Sequence, residues 1–155
     1  MTASSISRKK FAMLLLLHRS NDAENLAVVL VDTSIWVAHI ERAILQQHVA
    51  LSEVTICMPV IQEVLQGIRA ERAYAFVRRT LLAFPIIESP LTVEVFEEAA
   101  EIYRTGRITG FTIRSSFDCL IAACAIRNDV PLLHSDRDFN TIARFTRLQS
   151  RYVAL

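Results

Sequence analysis

Hydrophobic and polar positions fall in blocks along this chain, and the period of the pattern changes from block to block. Residues 27–31 (Ala-Val-Val-Leu-Val) form an unbroken apolar run that ends on Asp32. Such a run reads as a strand buried on both faces, as in a parallel sheet. Asp32-Thr33-Ser34 then turns strand into helix, with Thr33 or Ser34 as the N-cap. Open α/β sheets bind ligands just outside the carboxyl ends of their strands, which makes Asp32 a site candidate. The alternative is that Asp32 only caps the helix.

The pattern repeats downstream. Residues 34–48 carry apolar positions at Ile35, Val37, Ala38, Ile40, Ile44 and Leu45, which suits one or two helices. Residues 54–58 are short and β-branched, hence a strand, and Pro59 suits the first turn of a helix over 60–68 that Gly67 ends or bends. Glu63 lies in that first turn. An amphipathic helix over 71–84, a short strand over 85–88 and a helix over 91–103 follow. The last has an acidic side at Glu94, Glu97, Glu98 and Glu101 that reads as a solvated face. Residues 105–114, with two glycines, Arg107 and Arg114, read as a loop. Residues 115–126 predict a Ser-capped helix that is apolar nearly all round, so it packs centrally on the sheet. Asp118 is its only charged residue. A strand over 130–134 ends in Ser135-Asp136-Arg137-Asp138, followed by a helix over 139–145 and a final strand within 147–153. Alternating helices and short strands argue for a right-handed α/β sandwich on a mainly parallel sheet.

Residues 1–26 break from this pattern. A polar start ending in Arg8-Lys9-Lys10 precedes a seven-residue apolar run, 11–17, and residues 18–25 are polar again. A basic start before an apolar run resembles a secretory signal, but the run is at the short limit and no small-x-small cleavage site follows. It is also too short to span a bilayer. We treat residues 1–26 as an N-terminal extension and 27–155 as one domain, which the length of 155 residues suits.

Composition narrows the class. At 52% hydrophobic residues, with few Gly and Pro, the chain is an ordered, well-buried one. Cys57, Cys119 and Cys124 are odd in number, sit in apolar runs and show no Cys-x-x-Cys spacing. They read as reduced core residues of a cytoplasmic protein, and a zinc site is not expected. The net charge of +1 gives no bulk basic signature, although 15 of the 17 basic residues are Arg. Arg forks onto phosphate better than Lys does, and it also makes ordinary surface ion pairs.

The carboxylates change the picture most. Asp32, Glu63 and Asp136 each follow a strand, and Asp118 opens the most apolar helix. A buried, unpaired Asp costs several kcal/mol. Asp118 therefore needs either an Arg such as Arg114 or a metal ion shared with other acids. Four converging like charges repel unless a cation sits among them. An all-oxygen set without Cys or His suits Mg²⁺ or Mn²⁺, and such sites commonly act on phosphate esters.

Four segments now come together: Val31-Asp32-Thr33-Ser34, Pro59-x-x-x-Glu63-Val64-Leu65-x-Gly67, Ser116-Phe117-Asp118-Cys119-Leu120-Ile121-Ala122-Ala123, and Leu132-Leu133-His134-Ser135-Asp136-Arg137-Asp138-Phe139. In this order and spacing they resemble the PIN domain, and closely the VapC toxins of bacterial and archaeal toxin–antitoxin pairs. The resemblance covers residues 28 to about 150. It implies a three-layer α/β/α sandwich and a Mg²⁺- or Mn²⁺-dependent endoribonuclease, homodimeric and silenced by a VapB-type antitoxin. By position, Asp32, Glu63, Asp118 and Asp136 match the acidic catalytic set, with Asp32, Asp118 and Asp136 as metal ligands. Thr33 or Ser34 matches the supporting hydroxyl. Asp138 is either a fifth acid or a residue that caps or solvates the last helix. Arg114 and Arg137 are candidate contacts for substrate RNA. The family usually begins at the first strand, so residues 1–26 have no counterpart in it.

Other classes fit less well. A phosphatase of the haloacid dehalogenase type wants a second Asp where Ser34 stands and a working Lys, and the only lysines are Lys9 and Lys10. A receiver domain meets the same lysine problem. A non-catalytic α/β binding module has no need of four carboxylates at element ends. No Gly-rich phosphate loop is present. His39, His48, His134 and Trp36 read as structural or surface residues. The helical stretches 35–45 and 60–84 offer apolar surface beyond what one small core needs, which suits a partner or a second copy.

Overall fold

The computed structural model describes residues 28–155. Residues 1–27, and with them the expectations for the N-terminal extension, lie outside the described part. Five short strands form one parallel sheet: β1 (Val29–Val31), β2 (Val54–Cys57), β3 (Ile86–Ile87), β4 (Leu132–His134) and β5 (Ser150–Tyr152), in the order β3-β2-β1-β4-β5. Six helices connect them: α1 (Thr33–Arg42), α2 (Met58–Gln66), α3 (Glu71–Leu81), α4 (Val93–Ile108), α5 (Ser116–Arg127) and α6 (Arg137–Ile142). Two 3₁₀ turns, Leu45–Gln47 and Leu51–Glu53, precede β2.

Strands β2 and β3 extend the sheet to one side of β1, and β4 and β5 to the other. Right-handed crossovers therefore place α1–α3 on one face and α4–α6 on the opposite one. The apolar runs become strands because both faces are covered: every residue of β1, β2 and β4 is buried. Helix α5 is the centre of its layer, and every residue from Cys119 to Ile126 except Leu120 is buried.

Three local expectations change. The N-cap of α1 is Asp32 itself, whose carboxylate accepts the Ser34 N–H, so neither Thr33 nor Ser34 caps the helix with its hydroxyl. Ser115 stands at the N-cap of α5, but its side chain makes no capping bond. The stretch 105–114 is not a loop throughout, because α4 runs on to Ile108. Gly106 lies inside that helix, where a Cβ would meet Ile113 Cδ1 at 3.0 Å and Phe145 Cζ at 3.2 Å. The glycine serves close packing there rather than a turn.

The apolar surface also lies elsewhere than expected on one side. Ile35, Trp36, Ala38 and Leu45 are buried in the core, which leaves Val37 as the exposed large apolar side chain of α1. An apolar groove of about 1490 Å³ instead runs between α2, α3 and α4, past Met58, Leu82, Phe96 and Tyr103 to Phe117 at the start of α5.

Candidate active site

The order of strand addition reverses between β1 and β4, and the acids gather at the carboxyl end of that crevice. Asp32 leaves β1 and Asp136 follows β4. The Asp32 N–H donates to the Leu133 carbonyl at 2.9 Å, which fixes the two strand ends together. Ser34 strengthens the same seam: its hydroxyl donates to Asp32 Oδ2 at 2.6 Å and accepts the Ser135 N–H at 2.9 Å. From the β2 side, the Thr33 hydroxyl donates to Glu63 Oε2 at 2.8 Å. Helix α5 brings Asp118 in from the other layer, in its first turn.

The electrostatics follow from this convergence. Asp118 is 8% exposed and has no hydrogen-bond or ion-pair partner among the described residues. Burial, and then the like charges of Asp32, Asp136, Asp138 and Glu63, push its carboxyl up to about 8. Burial raises Asp32 to about 6, against the opposing pull of its Ser34 hydrogen bonds. Carboxylate oxygens of Asp118, Asp136 and Asp138, one from each, lie within 4.8 Å of one another.

Arg114 does not pair with Asp118. Its Nη2 donates to Asp136 Oδ1 at 2.8 Å, its Nε to Asp138 Oδ1 at 3.1 Å, and its backbone N–H to Asp138 Oδ2 at 2.7 Å. Asp138 is consequently buried and neither caps nor solvates α6; the cap is Asp136, which accepts the Asp138 N–H at 2.9 Å. Arg137 is exposed beside Asp136.

His39 and Trp36 keep away from the chemistry, whereas His134 borders it: burial lowers its pKa, opposed by a hydrogen bond to the Asp136 backbone and by the Asp136 charge. His39 is buried, its Nδ1 accepts the Leu45 N–H, and burial lowers its pKa to about 4. His134 is buried between Phe139 and Tyr152, with Nε2 on the Ser150 hydroxyl. Trp36 packs edge-on against Phe84 in the core. Sequence reasoning missed the Ser135 backbone N–H as a site group, and a bare N–H leaves no residue-type signal to find.

The family model of the PIN domain matches residues 29–145. The chain belongs to the PIN domain family, in its VapC branch. The VapC ribonuclease Mb1587 of Mycobacterium bovis is 36% identical over 131 residues, covering 79% of this chain and 97% of that protein. Ribonuclease VapC11 of Mycobacterium tuberculosis matches to the same extent. Solved structures share the fold at lower identity. VapBC2 from Rickettsia felis, bound to a DNA fragment from its promoter, superposes with a TM-score of 0.66 at 17% identity, covering 82% of this chain and 99% of that one. VapBC-1 from nontypeable Haemophilus influenzae gives 0.63 at 14% identity, over 81% and 97%. In this PIN domain the four motif acids arrive from four separate elements, and the fold alone brings them to one crevice.

Proposed function

We propose that this PIN domain is a metal-dependent endoribonuclease toxin that a cognate antitoxin holds inactive. The observation that carries this reading is Asp118, a buried carboxylate with no partner, facing four others. An arrangement of this kind asks for a cation. The donors are all oxygen, and those of Asp118, Asp136 and Asp138 are closely spaced with Asp32 outside that trio, a set that fits Mg²⁺ or Mn²⁺. Asp32, Asp118 and Asp136 would hold the ion. Bound there, it supplies an activated water and screens charge on the phosphorus oxygens. Thr33 holds Glu63 at the crevice as the candidate proton acceptor, and Ser34 holds Asp32 in orientation. The exposed Arg137 and the outer edge of Arg114 are the phosphate contacts. A recessed acid cluster suits single-stranded or looped RNA, because bonds in a regular duplex do not reach it.

The relatives named as ribonucleases support the reaction, and the VapBC assemblies support a VapB-type partner. The apolar groove between α2, α3 and α4 is the surface on this chain for such a partner or for a second copy in a homodimer. Three free, buried cysteines fit a cytoplasmic location, and no helix among the described residues is long and apolar enough to cross a membrane.

The test is cleavage of single-stranded RNA by the purified chain with Mn²⁺ or Mg²⁺ and with EDTA. Cleavage that needs the ion and disappears in Asp118→Asn supports the reading. Metal-independent cleavage, or none with either ion, overturns it.

A further inference from the structure

The acid-plus-metal reading leaves Asp138 without a defined task and uses only the outer edge of Arg114. The geometry around them is specific. Asp138 is 5% exposed, and Arg114 engages both of its oxygens, one through the backbone N–H and one through Nε. This two-point clamp fixes the root and the neck of the Arg114 side chain. The guanidinium is thereby directed along the rim of the crevice, where Nη2 reaches Asp136 Oδ1 at 2.8 Å. Its outer part stays in solvent, the side chain being 67% exposed. One cation thus bonds two of the three carboxylates that cluster within 4.8 Å, and leaves the third, Asp118, alone.

Asp136 does not depend on this contact for its orientation. It caps α6, and the same Oδ1 accepts the Asp138 N–H. Removing the guanidinium would therefore subtract a positive charge from the site and leave that capping bond in place. A fixed unit charge beside a divalent-ion site repels the ion, and its hydrogen bond competes for a ligand oxygen.

We propose that Arg114, clamped by Asp138, is a resident counter-cation: a positioning residue that offsets the acids of the crevice and lowers its affinity for a divalent ion. The role of Asp138 is then to hold Arg114, not to ligate metal. This inference rests on the metal-site reading given above. Its physical content is that charge and not shape sets the effect, so a lysine substitutes for the arginine in metal affinity although it lacks the fork.

The experiment is a titration of the metal-free full chain with Mn²⁺ alone, followed by electron paramagnetic resonance of the free ion, for wild type, Arg114→Gln and Arg114→Lys. Thermal unfolding in EDTA accompanies it. Arg114→Gln is expected to bind Mn²⁺ about tenfold more tightly, the Coulomb effect of one charge on a nearby divalent ion in a water-like dielectric, and to melt lower in EDTA. Arg114→Lys is expected within about threefold of wild type. A folded Arg114→Gln with unchanged or weaker Mn²⁺ affinity would show that Arg114 is only a structural tie. If Arg114→Gln does not fold, Arg114→Lys decides: affinity near wild type supports the charge role, and a loss beyond tenfold overturns it. Wild type that binds no Mn²⁺ at all refutes the metal-site reading itself, a different result from either outcome for the arginine.

Discussion

Thr33 donates its hydroxyl to Glu63 Oε2 at 2.8 Å, a bond between residues 30 positions apart that ties the first turn of α1 to α2. It holds the acid of the β2 side against the acid of β1. Thr33→Val keeps the shape and removes the donor, so stability is expected to fall by about 1 kcal/mol. If Glu63 works in the reaction, RNA cleavage falls further, by about 10–100-fold, because the carboxylate loses its fixed position. A double-mutant cycle with Glu63→Gln checks the assignment: the two losses should be strongly non-additive.

Asp118→Asn is expected to raise metal-free stability at pH 8. Its folded carboxyl sits near 8 against an ordinary value of 3.8, so between those values the native state holds a proton that the unfolded chain has lost. Stability from this group is therefore highest at low pH and declines as pH rises towards 8; Asp32, raised to about 6, acts in the same direction. In EDTA, wild type should melt higher at pH 5.5 than at pH 8, and the substitution should flatten that slope. Its gain at pH 8 is on the order of 1–2 kcal/mol, or about 3–6 °C. Saturating Mn²⁺ should reverse the order, stabilising wild type more than the variant. Equal pH slopes for the two proteins in EDTA would contradict the burial and crowding of Asp118.

Gly106→Ala sets two effects against each other. Alanine gains about 1 kcal/mol of helix propensity in α4. Its Cβ, however, enters a space bounded by Ile113 Cδ1 at 3.0 Å and Phe145 Cζ at 3.2 Å, and Phe145 is stacked on Phe111. Overpacking costs about 1–3 kcal/mol, so a net loss near 1 kcal/mol is expected in urea unfolding. Adding Ile113→Val removes the Cδ1 and should recover part of it.

Ala43 ends α1 in the left-handed region, at φ 56° and ψ 46°, with its N–H on the His39 carbonyl at 2.7 Å. That conformation favours glycine. Ala43→Gly should stabilise the chain by about 0.5–1 kcal/mol without changing RNA cleavage. An unchanged or lower melting temperature would count against the cap.

Deleting residues 1–26 should leave the melting temperature within about 3 °C, since the described residues by themselves form a five-stranded sheet between Val29 and Tyr152. Insoluble protein would show instead that the apolar run 11–17 belongs to the core.

The sequence by itself determined the unit that repeats here: a short apolar strand, an acid at its end, and a helix behind it. Periodicity and residue type are local, and they place β1, β2, β4 and α5 within a residue or two. They also single out Asp118, because one carboxylate in an apolar helix is conspicuous without any structure. What they could not decide is whom each side chain meets. Arg114 was as near in sequence to Asp118 as any cation, yet it bonds Asp136 and Asp138, 22 and 24 positions away. Ser34 reaches Ser135 across 101 positions, because β1 and β4 are neighbours in the sheet. Helix α4 runs past its expected end to Ile108, with Gly106 where a Cβ would crowd Ile113 and Phe145, a closeness that no helical period encodes. Local sequence sets backbone preference and burial pattern, whereas strand order brings distant side chains together. The pairing of charges in this crevice is therefore a property of the tertiary structure alone.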